Sequence, residues 1–162
     1  MRSDFMEIVT ERYVDEIIVT IVKVTGRLDS STCGSLLKVV QQLVEDGERY
    51  IIFDLQHVTF LGSAGLIALH QAAKLLNGEP MLHHDFGWGS FHALEYDLSR
   101  GESIGLKVLR PSAAAIETMV TSGFAALVEP YANLDSVIAS FHDEAFTPAD
   151  GDGMYAAPLY VQ

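Results

Sequence analysis

The sequence predicts an α/β layer fold, a mixed β-sheet flanked by helices. Three observations carry the prediction. Two runs rich in β-branched and aromatic residues open the chain. The nearly continuous apolar run Tyr50, Ile51, Ile52, Phe53 and Leu55 reads as a strand covered on both faces. After it, strand-like and helix-like segments alternate as far as residue 141.

Each element has its own local cause. FMEIVTERY (5–13) and EIIVTIVKVT (16–25) read as two strands of a hairpin with a break at Val14-Asp15, and Gly26 interrupts the second. Small polar residues from Asp29 to Thr32 suit a helix start, Leu36, Leu37, Val40, Leu43 and Val44 recur at helical spacing, and Gly47 suits the stop. After the buried strand, Leu66, Leu69, Ala73 and Leu76 mark one side of a helix that ends near Asn77-Gly78. GLKVL (105–109) reads as a strand, Pro111-Ser112 as a helix start with Ile116, Met119 and Val120 as its apolar side, and Gly123 as its end. Phe124 to Val128 reads as a further strand, and Asn133 caps a last helix whose inward residues are Leu134, Val137, Ile138 and Phe141.

These elements make one domain, residues 1–141. Within it, 79–104 is a long insertion between the second helix and the following strand, well beyond the roughly 2–6 residues usual for such a connection. Its Phe86, Trp88, Phe91 and Tyr96 argue against a purely solvated loop. A lid, an added partner surface, a self-association element and a packed excursion without function all fit that composition. Residues 142–162 form an acidic tail containing proline and glycine.

Composition narrows the function. The formal charge of −12 opposes direct binding to nucleic acid or an anionic membrane and favours a basic protein surface as partner. No apolar run reaches the roughly 18–20 residues of a membrane span, and the acidic start of the chain lacks the pattern of a secretory leader, so the expected location is the cytoplasm without membrane insertion. A single cysteine, Cys33, rules out an intrachain disulfide and reads as a small buried side chain. Neither GxGxxG nor GxxxxGK[ST] occurs, and GSAGL differs from the G-x-S-x-G nucleophile elbow. His83, His84 and His92 with Asp85 match no compact metal-ligand spacing, and His70 reads as a packing residue. Asp29 and Asp54 are candidates for two carboxylates at one sheet edge, which would need divergent pKa values to act as acid and base.

The stretch FLGSAGLIAL (60–69) is the most informative. Ser63 stands at a helix start, where it either caps the helix or presents its hydroxyl to something else, and a helix N-terminus stabilises a phosphate placed there. Gly62 and Gly65 on either side permit close approach of another protein backbone.

The ordered blocks TGRLDSSTCGSLLKVV, YIIFDLQHVTFLGSAGLIALHQAAKLL, IGLKVLRPSAAAIETMVTSGF and ALVEPYANLDSVIASF closely resemble the STAS domain, in particular the free-standing bacterial anti-sigma factor antagonists. The resemblance runs over residues 5–141 outside the insertion. It implies a STAS-like mixed sheet flanked by helices and a non-enzymatic regulator without metal or cofactor. The implied partners are an anti-sigma factor that is also a serine kinase, and a serine phosphatase. It further implies phosphorylation at Ser63 and partner contacts at Arg27, Asp29, Ser30, Gly62, Ser63, Ala64, Gly65 and Leu66. In the family the acceptor loop reads Asp-Ser-Ser-Gly or Asp-Ser-Thr-Gly before leucine. Here Gly62 replaces the aspartate and Ala64 the second hydroxyl residue, whereas the Gly26-Arg27-Leu28-Asp29 turn is retained. These departures keep a second reading open: a STAS interaction or scaffold module in a signalling or transporter-associated assembly, with Ser63 unphosphorylated.

Overall fold

A computed structural model of the chain describes residues 6–14, 16–79 and 88–146. Strands β1 (Met6–Val14) and β2 (Ile18–Leu28) form the expected antiparallel hairpin, in register from Met6 opposite Gly26 to Val14 opposite Ile18. Helix α1 (Cys33–Glu45) leads to β3 (Tyr50–Leu61), helix α2 (Ser63–Leu76) and, in the insertion, helix α3 (Trp88–Arg100). Strand β4 (Leu106–Leu109), helix α4 (Ala113–Ser122), strand β5 (Val128–Tyr131) and helix α5 (Leu134–Phe146) complete the fold. The five strands stand in the order β1-β2-β3-β4-β5, with every pair after the first parallel, so the sheet is mixed.

The two faces of the sheet hold separate cores. On one, Val22, Val24, Leu28, Phe53, Leu55 and Val108 meet α1, α2 and α4; on the other, Val19, Ile21, Tyr50, Ile52 and Leu109 meet Val137, Ile138 and Phe141 of α5. Strand alternation in β2 produces this split, because successive side chains leave opposite faces. Cys33 is fully buried in the first core, and burial pushes its thiol pKa up, as suits a small packing residue.

Four expectations need correction. Gly26 does not end β2: it takes φ 102° at a register shift, and the strand continues through Arg27 and Leu28 opposite Phe60 and Leu61. The segment after Gly123 is not a strand but a 3₁₀ turn over Phe124–Leu127, which buries Phe124 and Leu127 at the three-residue spacing of that helix. On α4 the inward residues are Ala115 and Met119, while Ile116 and Val120 are 46% and 62% exposed. The last helix extends five residues past Phe141, to Phe146.

The helix caps follow the sequence more closely. Ser112 Oγ accepts from the N–H of Ala115 and donates to the Val58 carbonyl at 2.6 Å, fastening α4 to β3. Asn133 Oδ1 accepts from the N–H of Ser136 at 2.9 Å.

The insertion is a packed helix where it is described. Asp97 of α3 accepts from His70 Nε2 at 2.6 Å and lies 3.2 Å from Lys74 Nζ, Leu94 enters the first core, and the N–H of Ile104 donates to the Leu127 carbonyl. Burial pushes the Asp97 carboxyl pKa up, but the hydrogen bonds from His70 and Lys74 outweigh it and hold the value below the ordinary range. Covered by the sheet and its neighbouring helices, α2 buries every residue from Gly65 to Ala73. No helix among the described residues is long and apolar enough to cross a membrane.

Leu69 is fully buried on α2. Leu69→Ala is expected to cost about 2–5 kcal/mol in urea denaturation; a loss under about 0.5 kcal/mol would contradict the packing of α2 on the sheet.

Candidate functional site

Two strand ends converge on Ser63. Leu28 at the end of β2 pairs with Leu61 at the end of β3, so Asp29 and Ser63 leave the sheet side by side. The Leu28 carbonyl accepts from the N–H of Gly62 at 3.1 Å. It also lies against Gly65: a Cβ built there would stand 2.6 Å from the Leu28 oxygen and 2.7 Å from Leu61 Cδ1. The helix start is thus pressed onto the strand end at a distance only glycine allows. The close approach that Gly65 permits is made by the chain's own backbone at Leu28.

Ser63 is the first residue of α2 and is exposed, and its hydroxyl makes no hydrogen bond among the described residues. The N-cap is Gly62, in extended conformation, and no side chain caps the helix. Capping therefore does not account for the serine. The first helical N–H groups lack intrahelical acceptors, and the positive end of the helix dipole lies beside the free hydroxyl.

Gly62 has a neighbour that the sequence did not reveal as significant. A Cβ at this position would come within 2.9 Å of the Phe60 ring. That ring is 39% exposed and lies under the Arg27 guanidinium, 4.2 Å from its centroid. The glycine makes room for an aromatic–cation stack on the same surface. The spacing Phe60-x-Gly62 was the available signal, but its meaning required knowing that Arg27 faces Phe60.

Asp29 organises the other half. Its carboxylate accepts from Ser31 Oγ at 2.7 Å, the Ser31 N–H at 3.0 Å and Arg27 Nε at 3.2 Å. These hydrogen bonds, the Ser31 hydroxyl foremost, outweigh desolvation and hold the Asp29 pKa at about 2. Thr32 occupies the N-cap position of α1 but makes no side-chain cap; its hydroxyl accepts from the Asp29 N–H and donates to the Arg27 carbonyl at 2.7 Å. The loop is locked around one anionic side chain.

The expected residues divide by depth. Arg27, Asp29, Ser30, Gly62, Ser63 and Ala64 are exposed or half-buried around the strand ends, whereas Gly65 and Leu66 are buried beneath them.

The other candidates lie elsewhere. Asp54 sits mid-strand, seven residues before Leu61 and roughly 23 Å along β3 from it, so it forms no pair with Asp29. It is buried, accepting from Arg110 Nη2 at 3.0 Å and from the Gln56 N–H. Arg110 holds a positive φ of 47°. His70 is fully buried in its bond to Asp97, a packing role as expected. His92 is exposed beside Glu95, while His83, His84 and Asp85 lie outside the described residues. Among the described residues no three His, Cys, Asp or Glu side chains cluster as a metal site.

Comparison with known proteins agrees with this architecture. The profile of the STAS domain family matches residues 9–79, which span β1 through α2 and include both strand ends of the site. This stretch is similar to the STAS domain. A likeness of fold extends beyond that stretch: the crystal structure of an anti-sigma factor antagonist from Mycobacterium paratuberculosis superposes with a TM-score of 0.59 at 22% identity, covering 86% of this chain and 97% of that one. The anti-sigma factor antagonist SpoIIAA in its unphosphorylated form aligns at 14% identity and a TM-score of 0.49, over 84% of this chain and 96% of that one. No curated protein matches the sequence.

Gly65→Ala is expected to cost about 1–3 kcal/mol, because a backbone carbonyl cannot yield as a side chain can; unchanged urea stability would contradict the contact with Leu28. The Asp29 carboxylate, followed by carbon NMR, is expected to titrate near pH 2. A folded pKa below the unfolded value of about 3.9 means its stabilising contribution is present above pH 4 and is lost as pH falls toward 2. A midpoint at or above 3.9 would contradict the hydrogen-bonded loop.

Proposed function

We propose that this STAS protein is an anti-sigma factor antagonist-like regulator that docks an anti-sigma factor with serine kinase activity on the surface of Arg27, Asp29, Ser30, Gly62, Ser63 and Ala64. Ser63 is the switch residue. The observation that carries this reading is the exposed Ser63 hydroxyl at the first turn of α2, which makes no bond among the described residues and does not cap its helix. A structural serine would be expected to satisfy one of the orphan N–H groups.

The switch follows from charge. Transfer of a phosphoryl group to Ser63 Oγ replaces a small neutral group by about −1.5 to −2 charges and three acceptor oxygens. The helix dipole tolerates that charge within the free protein, but a partner surface fitted to the compact Gly62-Ser63-Ala64 turn meets added bulk and a desolvation cost. The unphosphorylated form therefore binds, the phosphorylated form does not, and a serine phosphatase restores binding. The protein acts as ligand and substrate, in the cytoplasm.

A second reading has one observation of its own. The phosphoacceptor loop of the family carries aspartate where this chain has Gly62, and the Phe60 ring occupies the adjoining space. Recognition by a kinase that requires that carboxylate is then lost, and the same surface serves a constitutive interaction or scaffold module in a signalling or transporter-associated assembly.

The purified protein, incubated with its candidate kinase and ATP, is expected to gain one phosphate by intact mass, mapped to Ser63 and missing in Ser63→Ala. Ser63→Asp is expected to bind the partner at least about 10-fold more weakly, equivalent to about 1.4 kcal/mol. No transfer, together with unchanged binding by Ser63→Asp, would overturn the switch and leave the scaffold reading.

A further inference from the structure

Arg49, beyond the end of α1, is the arginine among the described residues that meets no carboxylate. Arg12, Arg27, Arg100 and Arg110 each stand 2.7–3.4 Å from one. Arg49 has only the Glu48 carbonyl, 3.5 Å from Nη1, and its Nε is buried without an acceptor. In a chain with 22 acidic residues against 10 basic ones, a guanidinium left without a carboxylate is unexpected.

The acceptors nearby are already taken. Glu48 accepts from Thr20 Oγ1 at 2.6 Å and lies 3.4 Å from Arg12, and Asp46 accepts from Gln42 Nε2. Helices α1 and α2 both end beside Arg49, but their last carbonyls serve their own capping turns. Leu43 and Val44 accept from the N–H groups of Glu48 and Gly47, and Ala73, Lys74 and Leu75 accept from those of Asn77, Glu79 and Gly78. Between the two helix ends Arg49 lines a cleft of about 260 Å³. Val44 on α1 and Leu75 and Leu76 on α2 give it apolar walls, each half-buried against the first core.

We infer that this cleft binds a small monocarboxylate carrying a short apolar chain. The guanidinium fork takes the two carboxylate oxygens, and the apolar walls take the chain. With Nε sealed, the Nη1 and Nη2 edge makes the pair. The volume lies just below the range usual for drug-sized ligands, which sets the chain length. A single negative charge suits the place better than the two of a phosphate, because two helix C-termini meet there. The formal charge of −12 does not forbid the site, since repulsion from distant carboxylates is screened over about 8 Å at physiological ionic strength. Helices α1 and α2, of 13 and 14 residues, begin at the Ser63 surface and end at the cleft, about 20 Å away, so the inference is independent of that surface.

Proton–nitrogen and methyl NMR spectra of the full chain, titrated with sodium hexanoate at constant ionic strength, test it. Hexanoate is expected to shift the Arg49 side-chain resonances and the methyls of Val44, Leu75 and Leu76 saturably, with a Kd of about 1 mM or below. Arg49→Gln is expected to bind at least about 10-fold more weakly, read from the same methyls, and wild type to bind uncharged hexanamide at least about 10-fold more weakly than hexanoate. The hexanamide comparison needs no variant, so it decides the matter even should Arg49→Gln fail to fold. No saturable shift up to about 50 mM hexanoate overturns the inference. So does equal binding of hexanamide, unchanged affinity in folded Arg49→Gln, or the same shifts with sodium chloride alone.

Discussion

The contact between the Leu28 carbonyl and the start of α2 governs the geometry of the candidate surface around Ser63. One oxygen accepts the Gly62 N–H and lies against the Cα of Gly65, so the end of β2, the end of β3 and the first turn of α2 are held at a single point. Everything presented outward depends on what is held there. Ser63 points to solvent because the residues on either side of it are fixed from beneath, and Asp29 stands next to it because Leu28 is the residue so held. A carbonyl at a strand end ordinarily needs a donor, and here the oxygen that takes the Gly62 N–H also sets the depth at which the helix sits.

The polar loop and the apolar helix solve complementary problems. Asp29 gathers donors from Ser31 and Arg27, so the loop after β2 holds its shape without burying much apolar surface. On the helix side, α2 buries nine consecutive residues, including His70 and Gln71, which a helix packed on one side alone would expose. The α3 helix of the insertion supplies the additional cover and satisfies His70 through Asp97. The insertion thus stiffens the helix that carries Ser63, through a charged hydrogen bond sheltered from water.

Much of this was legible in the sequence, and the failures share a cause. The apolar run of β3, the helical spacing of α1 and α2, and the caps Ser112 and Asn133 are local signals, and the structure reproduces them. Gly26 reads in the sequence as an interruption of the second strand because a glycine bulge and a strand end look alike until a partner strand is known to continue. The 3₁₀ turn at Phe124 reads as a strand in the sequence because a short continuous apolar run fits a strand buried on both faces as well as a helical turn. Ile116 and Val120 were assigned to the core on hydrophobicity alone, although Ala115 and Met119 fill it. At the candidate site, the serine at the helix start and the Gly26–Asp29 turn are legible in the sequence, but the packing of Gly65 and the Phe60–Arg27 stack depend on contacts between strands far apart along the chain.

The proposed switch needs a rigid, preformed surface on which one free hydroxyl would decide whether a partner can approach. Rigidity is the part on which the rest depends: a phosphate on a mobile loop could swing aside, whereas one on a fixed helix start could not. Site-resolved amide hydrogen exchange measures it most directly. The Gly62 N–H is predicted to exchange as slowly as the core amides of β3, and those of Ser63 and Ala64, which lack helical acceptors, are predicted to exchange fast. A Gly62 amide that exchanges as fast as its two neighbours would show that the Leu28 carbonyl does not hold the helix, and would contradict the account.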